Sequence, residues 1–145
     1  MLKAVIFLAV LYVAAADIVV YKDCGSKVGA LKSVDVTPCP SEPCQFPRHK
    51  NITVNLNITA NTEITAAKTV VYGYILGAKV PFPVPSDACQ NMACPVSSGA
   101  TVTYTNTVYV QPVYPLVSVV VQWELHDQNN DMIVCFNIPA EIVNS

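Results

Sequence analysis

The chain has 145 residues, 52% of them hydrophobic and 12% charged, with eight Lys or Arg against ten Asp or Glu and a formal net charge of −2. That length suits a single domain with a leader in front of it. A mildly acidic chain without a basic run has nothing to grip a phosphate backbone, which excludes nucleic acid as a partner.

Residues 1–16, MLKAVIFLAVLYVAAA, carry one positive charge at Lys3, an apolar run from Ala4 to Val13, and small residues at Ala14 and Ala16. This is the pattern of a secretory signal peptide, and the apolar run is too short to span a bilayer. Asp17 is then the expected mature terminus, and 17–145 one secreted domain of 129 residues. With Lys3 removed, seven basic residues face ten acidic ones. All six cysteines (Cys24, Cys39, Cys44, Cys89, Cys94 and Cys135) follow the leader. An even number behind a signal peptide reads as three disulfides, with fifteen connectivities open. Cys39 and Cys44 flank PSEP, and Cys89 and Cys94 flank QNMA. Those turn-sized gaps suggest two pairs and leave Cys24 and Cys135 to join the ends of the chain. With His49 and His126 as the two histidines and no C-x-x-C pair, a metal site is not expected.

Beyond Cys24 the first β-rich run is GALKSVDV, 29–36. The clearest strand is NITVNLNITA, 51–60, where Ile52, Val54, Leu56 and Ile58 alternate with polar residues in a strict period of two. Two N-x-T sequons, at Asn51 and Asn57, fall on its polar face, and a glycan needs an outward side chain. AAKTVVYGYIL (66–76) leads into KVPFPVPSDACQNMACP (79–95). Proline has no backbone donor and a fixed φ, so this stretch is predicted to be extended and neither a helix nor a central strand. TVTYTNTVYV (101–110), LVSVVVQWEL (116–125) and MIVCFNIPAEIV (132–143) follow, separated by Pro112, Pro115 and the polar turn HDQNND. The spacing predicts an all-β sandwich of about seven strands.

From Thr69 to Trp123 the charged residues are Lys79 and Asp87 alone. A tightly packed core with a Thr-rich outer face would account for this, and composition by itself favours that explanation. Two sheets splayed around an apolar cavity would account for it as well. No catalytic set is assembled: His126 and Asp127 are adjacent in the polar turn and are read as solvated, Ser97-Ser98-Gly99 lacks a nucleophile elbow, and no carboxylate pair, phosphate loop or cofactor motif stands out. The chain is not expected to be an enzyme.

YKDCGS (21–26), VTPCPSEPC (36–44), VPFPVP (80–85), YPLVSVVVQWEL (114–125) and CFNIPAEIV (135–143), in register with all six cysteines, closely resemble the soluble, luminal Niemann-Pick type C sterol carriers of the ML lipid-recognition family. The resemblance runs from Tyr21 to Val143. It implies an immunoglobulin-like β-sandwich with an apolar pocket between its sheets, and disulfides Cys24–Cys135, Cys39–Cys44 and Cys89–Cys94. It also implies that Phe82, Val110 and Tyr114 stand at the entrance and pocket, with Val36, Pro115, Trp123 and Phe136 as further lining. The activity implied is non-catalytic: a monomeric carrier, without cofactor, takes cholesterol in the endosome or lysosome lumen and passes it to a membrane or a membrane protein. Long-chain fatty acids or chemical signals, and an innate-immune lipid-recognition module, are the alternatives within the family. Tyr109 and Gln111 depart from the mammalian carriers, which have a proline and a basic residue at these positions.

Overall fold

The computed structural model of the chain describes residues 17–145, so the expected leader, 1–16, lies outside the described residues. The period-two segments fold as strands: β1 (Asp17–Ile18), β2 (Lys22–Asp23), β3 (Gly29–Thr37), β4 (Cys44–Pro47), β5 (Asn51–Ala60), β6 (Ala67–Ile75), β7 (Ala78–Phe82), β8 (Thr101–Tyr109), β9 (Ser118–Asp127) and β10 (Met132–Val143). Seven of these have five or more residues. They form a two-sheet sandwich, with β1-β3-β5-β8 in one layer and β2-β10-β9-β6-β7 in the other, where β4 adds to β10 in parallel. Apart from a single 3₁₀ turn at Ala88–Gln90, which interrupts the stretch 79–95 expected to be extended, no helix occurs among the described residues.

Each long strand turns its apolar set inward. On β5, Ile52, Val54, Leu56 and Ile58 are buried, while Asn51 and Asn57 are exposed on the opposite face. That outer face is the Thr-rich surface anticipated above. Thr53 meets Thr107 at 3.3 Å, Asn57 accepts from Thr103 at 3.1 Å, and Thr59 meets Thr101 at 3.2 Å. Neutral hydroxyl and amide groups thus take the cross-strand positions where most sandwiches place charge.

The proline stretch enters the sheet through β7, an edge strand that pairs with β6 and with no other strand among the described residues, and Pro81 lies opposite Tyr72. Edge placement is what a missing donor demands. Pro139 meets the same demand inside β10. Ile142 N–H bonds toward β9 at Val117 O (3.0 Å), so odd positions of β10 point the other way, and Pro139 nitrogen faces the gap where β2 has ended and β4 has not begun.

The three disulfides are Cys24–Cys135, Cys39–Cys44 and Cys89–Cys94. The long bridge fastens the segment after β2 to β10 within one sheet. Asp23 braces it by accepting from the amides of Gly25 and Ser26, both at 2.9 Å, and Ser26 Oγ accepts from Cys135 N–H at 3.1 Å. The two short bridges clip crossovers between the sheets. Burial raises the Asp23 pKa, but the bonds from Ser26 and Gly25 outweigh it and leave the carboxyl below its usual range.

One expectation is corrected. His126 and Asp127 do not sit in a solvated turn, because β9 continues through both. Asp127 is buried and accepts from the amides of Asn129 and Asp131, each at 2.9 Å, which closes the β9–β10 turn, while His126 Nε2 meets Glu124 Oε1 at 2.9 Å.

The bridges differ in what they contribute. Sequence separations of 111 and 5 residues set the loop entropy each removes from the unfolded chain. Replacing Cys24 and Cys135 together by serine is expected to lower the unfolding free energy by about 4–5 kcal/mol, and replacing Cys39 and Cys44 by about 2 kcal/mol. Urea unfolding monitored by circular dichroism measures both.

Candidate functional site

Between the sheets, at the end where β7 and β8 form facing edges, the apolar side chains do not close on one another. They leave a cavity of about 60 Å³. Its walls are Ile52 and Val54 of β5, Val71 of β6, Val108 and Tyr109 of β8, Val119, Val121 and Trp123 of β9, and Phe46, Ile138 and Ile142 of β4 and β10. Phe82, Val110 and Tyr114 complete it at the mouth. No wall residue carries a charge.

Phe82 and Tyr114 close the entrance edge to face, with ring centroids 5.2 Å apart and planes at 69°. Phe82 comes from the last position of edge strand β7, and Tyr114 from the irregular segment between β8 and β9. The Phe82 ring lies directly on Gly73 of β6. A Cβ at Gly73 would stand 2.2 Å from Phe82 Cε2 and 3.1 Å from Val119 Cγ2, so a side chain there cannot coexist with the ring's position. Burial pushes the Tyr114 hydroxyl above the ordinary tyrosine range, which keeps it protonated in any physiological medium.

The inner end is closed by aromatic rings and one polar cluster. Trp123 stacks on Phe136 at 6.4 Å and 9°, and Tyr104 meets Trp123 edge to face at 6.2 Å. Tyr104, fully buried, bonds across the sandwich to Thr69 Oγ1 at 2.9 Å and accepts from Asn106 Nδ2 at 3.0 Å. Burial raises the Tyr104 pKa, against the opposing pull of those bonds.

Of the residues singled out from sequence, Phe82, Val110, Tyr114 and Trp123 are brought together on the cavity wall, and Val36, Phe136 and Pro115 lie outside it. Val36 is fully buried on β3, opposite Val54. β5 therefore stands between it and the cavity side of the sheet. Phe136 is screened from the cavity by Trp123, on which it stacks. Pro115 is exposed, because the loop turns its neighbour Tyr114 inward. Sequence reasoning missed Val119 and Val121 of β9, Ile138 and Ile142 of β10, and the role of Gly73. A glycine inside the β-rich run VVYGYIL was the available signal, since it marks close approach by another group.

The contact between Gly73 and Phe82 can be tested by a double-mutant cycle. Gly73→Ala is expected to cost about 1–3 kcal/mol in the wild-type background, as overpacking does, and less than about 1 kcal/mol when Phe82 is already alanine. Equal costs in the two backgrounds, from urea unfolding, would show that the ring does not rest on Gly73.

Comparison with known proteins agrees with this geometry. The family model described as the ML domain matches residues 19–142. The bovine protein named NPC intracellular cholesterol transporter 2 is 43% identical over 141 residues, covering 96% of this chain and 95% of its own. The Drosophila melanogaster protein named NPC intracellular cholesterol transporter 2 homolog a is 36% identical, with coverage of 98% and 99%. Among solved structures, a Niemann-Pick type C2 protein from the Japanese carpenter ant superposes with a TM-score of 0.80 at 26% identity, over 86% of this chain and all of that one. Chicken MD-1, solved with lipid IVa, shares the fold at a TM-score of 0.51 and 12% identity. The chain belongs to the ML domain family.

Proposed function

We propose that the chain is a sterol carrier: it takes a sterol such as cholesterol into the cavity between its sheets and releases it at a membrane. The observation that carries this reading is an uncharged, wholly apolar cavity closed by the Phe82–Tyr114 pair. The relatives named as cholesterol transporters support the ligand class. At about 60 Å³ the cavity has room for a few waters, so a sterol enters by displacing the mouth residues and parting the sheets. Burying roughly 400 Å² of apolar ligand at ~25 cal/mol/Å² gains about 10 kcal/mol. Association costs of about 4 kcal/mol offset part of it, which leaves a moderate affinity that permits release.

The surroundings of the mouth suit contact with a bilayer. Leu76, at the tip of the β6–β7 hairpin, is 92% exposed, and Val113, in the segment before β9, is 83% exposed. Both stand at the same end of the sandwich, since Tyr74 pairs with Val120 next to where each segment begins. Lys79, on β7 just after the hairpin and with its ammonium over the Tyr72 ring, and Lys50, whose carbonyl accepts from Val110 N–H, are exposed cations near them that attract anionic lipid. Secretion into the lumen or extracellular fluid, action as a monomer, and glycans on the exposed Asn51 and Asn57 complete the reading.

Titration with a fluorescent sterol such as dehydroergosterol tests it. Val110→Phe, which fills the cavity from its wall, and Phe82→Ala, which removes half the entrance, are each expected to weaken binding at least tenfold. Because the wall carries no ionisable group except tyrosines, and burial moves Tyr114 away from neutrality, affinity should change less than about twofold between pH 5 and 7.5. A fatty-acid carrier would instead bind more tightly as its ligand's carboxylate is protonated.

Membrane contact has its own signature. Val113→Asp and Leu76→Asp are expected to slow sterol transfer to anionic vesicles several-fold while leaving binding in solution unchanged. Unchanged transfer in both variants would remove the docking part of the reading.

A further inference from the structure

The two halves of the entrance are held in different ways. Phe82 is fixed to a sheet, with its ring seated on Gly73. Tyr114 belongs to residues 111–116, which have no strand partner among the described residues. The segment is fastened at both ends: Val110 exchanges backbone bonds with His49 and Lys50 (both 2.9 Å), and Val117 O accepts from Ile142 N–H at 3.0 Å. Inside it are two local bonds, Tyr114 N–H to Gln111 O and Val117 N–H to Pro115 O. Among the described residues, the hydrogen bonds that reach 111–116 from elsewhere come from one side chain. Arg48 Nη1 donates to Pro112 O at 3.0 Å and to Tyr114 O at 3.4 Å, and Nη2 donates to Asn144 Oδ1.

We propose that Arg48 is the latch of the entrance, a positioning residue that holds the Tyr114 half shut and so sets how fast ligand enters and leaves. The proposal rests on the carrier reading and adds to it the group that controls exchange. Arg48 sits in the turn from β4 to β5, which crosses the mouth end between the sheets just as 110–117 does. Its guanidinium has no carboxylate partner among the described residues, and its acceptors are neutral oxygens of the loop and the C-terminal segment. The Nε–H is buried without an acceptor, so the inner part of the side chain is covered, while its bonds to Pro112 and Asn144 lie at the surface. A planar fork can engage two carbonyls and an amide oxygen together, whereas a lysine ammonium is a point charge that cannot span all three. Arg48 is not on the cavity wall, so the closed and open entrances differ in its contacts while the bound ligand does not touch it. Where the entrance closes again over bound ligand, so that the latch is made equally in the empty and the loaded protein, it changes the barrier and leaves the equilibrium alone.

Two measurements on the whole protein test this. In stopped-flow exchange of dehydroergosterol, Arg48→Met should raise the association and dissociation rates together, about tenfold, with the dissociation constant within about twofold of wild type. Arg48→Lys should give smaller rises in both, and it decides the matter if the methionine variant does not fold. In hydrogen exchange without sterol, the amides of Tyr114 and Val117 should lose protection in Arg48→Met while that of Val110 keeps it. A weaker dissociation constant with an unchanged association rate overturns the proposal, since Arg48 would then be contacting ligand. Lost protection with unchanged rates overturns it too, because the loop would be held by Arg48 without being the gate. Wild-type protein that takes up no sterol sinks the carrier reading and the rate claim with it. Unchanged protection at Tyr114 overturns the latch alone.

Discussion

The hydrogen bond between Tyr104 and Thr69 sets the distance between the two sheets. It joins β8 of one layer to β6 of the other through the interior, at 2.9 Å, between residues that are almost wholly buried. Beside it the Tyr104, Trp123 and Phe136 rings form a column of aromatic contacts that fills the same depth. A buried hydroxyl without its partner would incur a desolvation penalty of about 1–3 kcal/mol, so the sheets are pinned where this bond stands. Toward the mouth the layers meet through valine, isoleucine and the gate rings, which have no directional bond to break. The sandwich is therefore stiff at one end and free to widen at the other, and ligand volume is gained where the restraint is weakest.

Much of this was legible in the residues. The alternation in NITVNLNITA identified both the strand and its buried face, and the prolines from Pro81 to Pro85 barred their segment from a central strand. What alternation cannot say is which part of a buried face is packed and which part borders a void. Ile52 and Val54 line the cavity, while Leu56 and Ile58, with the same periodicity on the same strand, are in solid contact. The difference comes from their neighbours: Tyr104, paired with Leu56 on the adjacent strand β8, and Trp123 of the opposite sheet fill the space at one depth, and valines leave it open at another. Val36 lies off the wall for the same reason, since being apolar and inward-facing does not reveal which strand stands in between. His126 and Asp127 were misread because a polar dipeptide looks like a turn. Here Glu124 and the amides of the following turn supply the partners that let both residues stay in the strand.

The two gate residues divide the labour according to their local chemistry. Phe82 stands where Pro81 and Pro83 restrict the backbone even in the unfolded chain, so little conformational entropy remains to be lost in fixing it. Tyr114 stands in a segment bounded by Pro112 and Pro115, yet outside any ladder. Its position depends on a side chain from another part of the chain. An entrance made of one fixed and one tethered ring can open by a small loop displacement, without unpairing a strand.

Trp123 is the one tryptophan of the sequence. Its indole forms part of the cavity wall while its other face rests on Phe136. Emission from this ring thus comes from a single known place, where an arriving lipid would replace void and alter the local polarisability. The molecule carries its own optical reporter of occupancy, undiluted by any second indole, and loading could be followed in unlabelled protein.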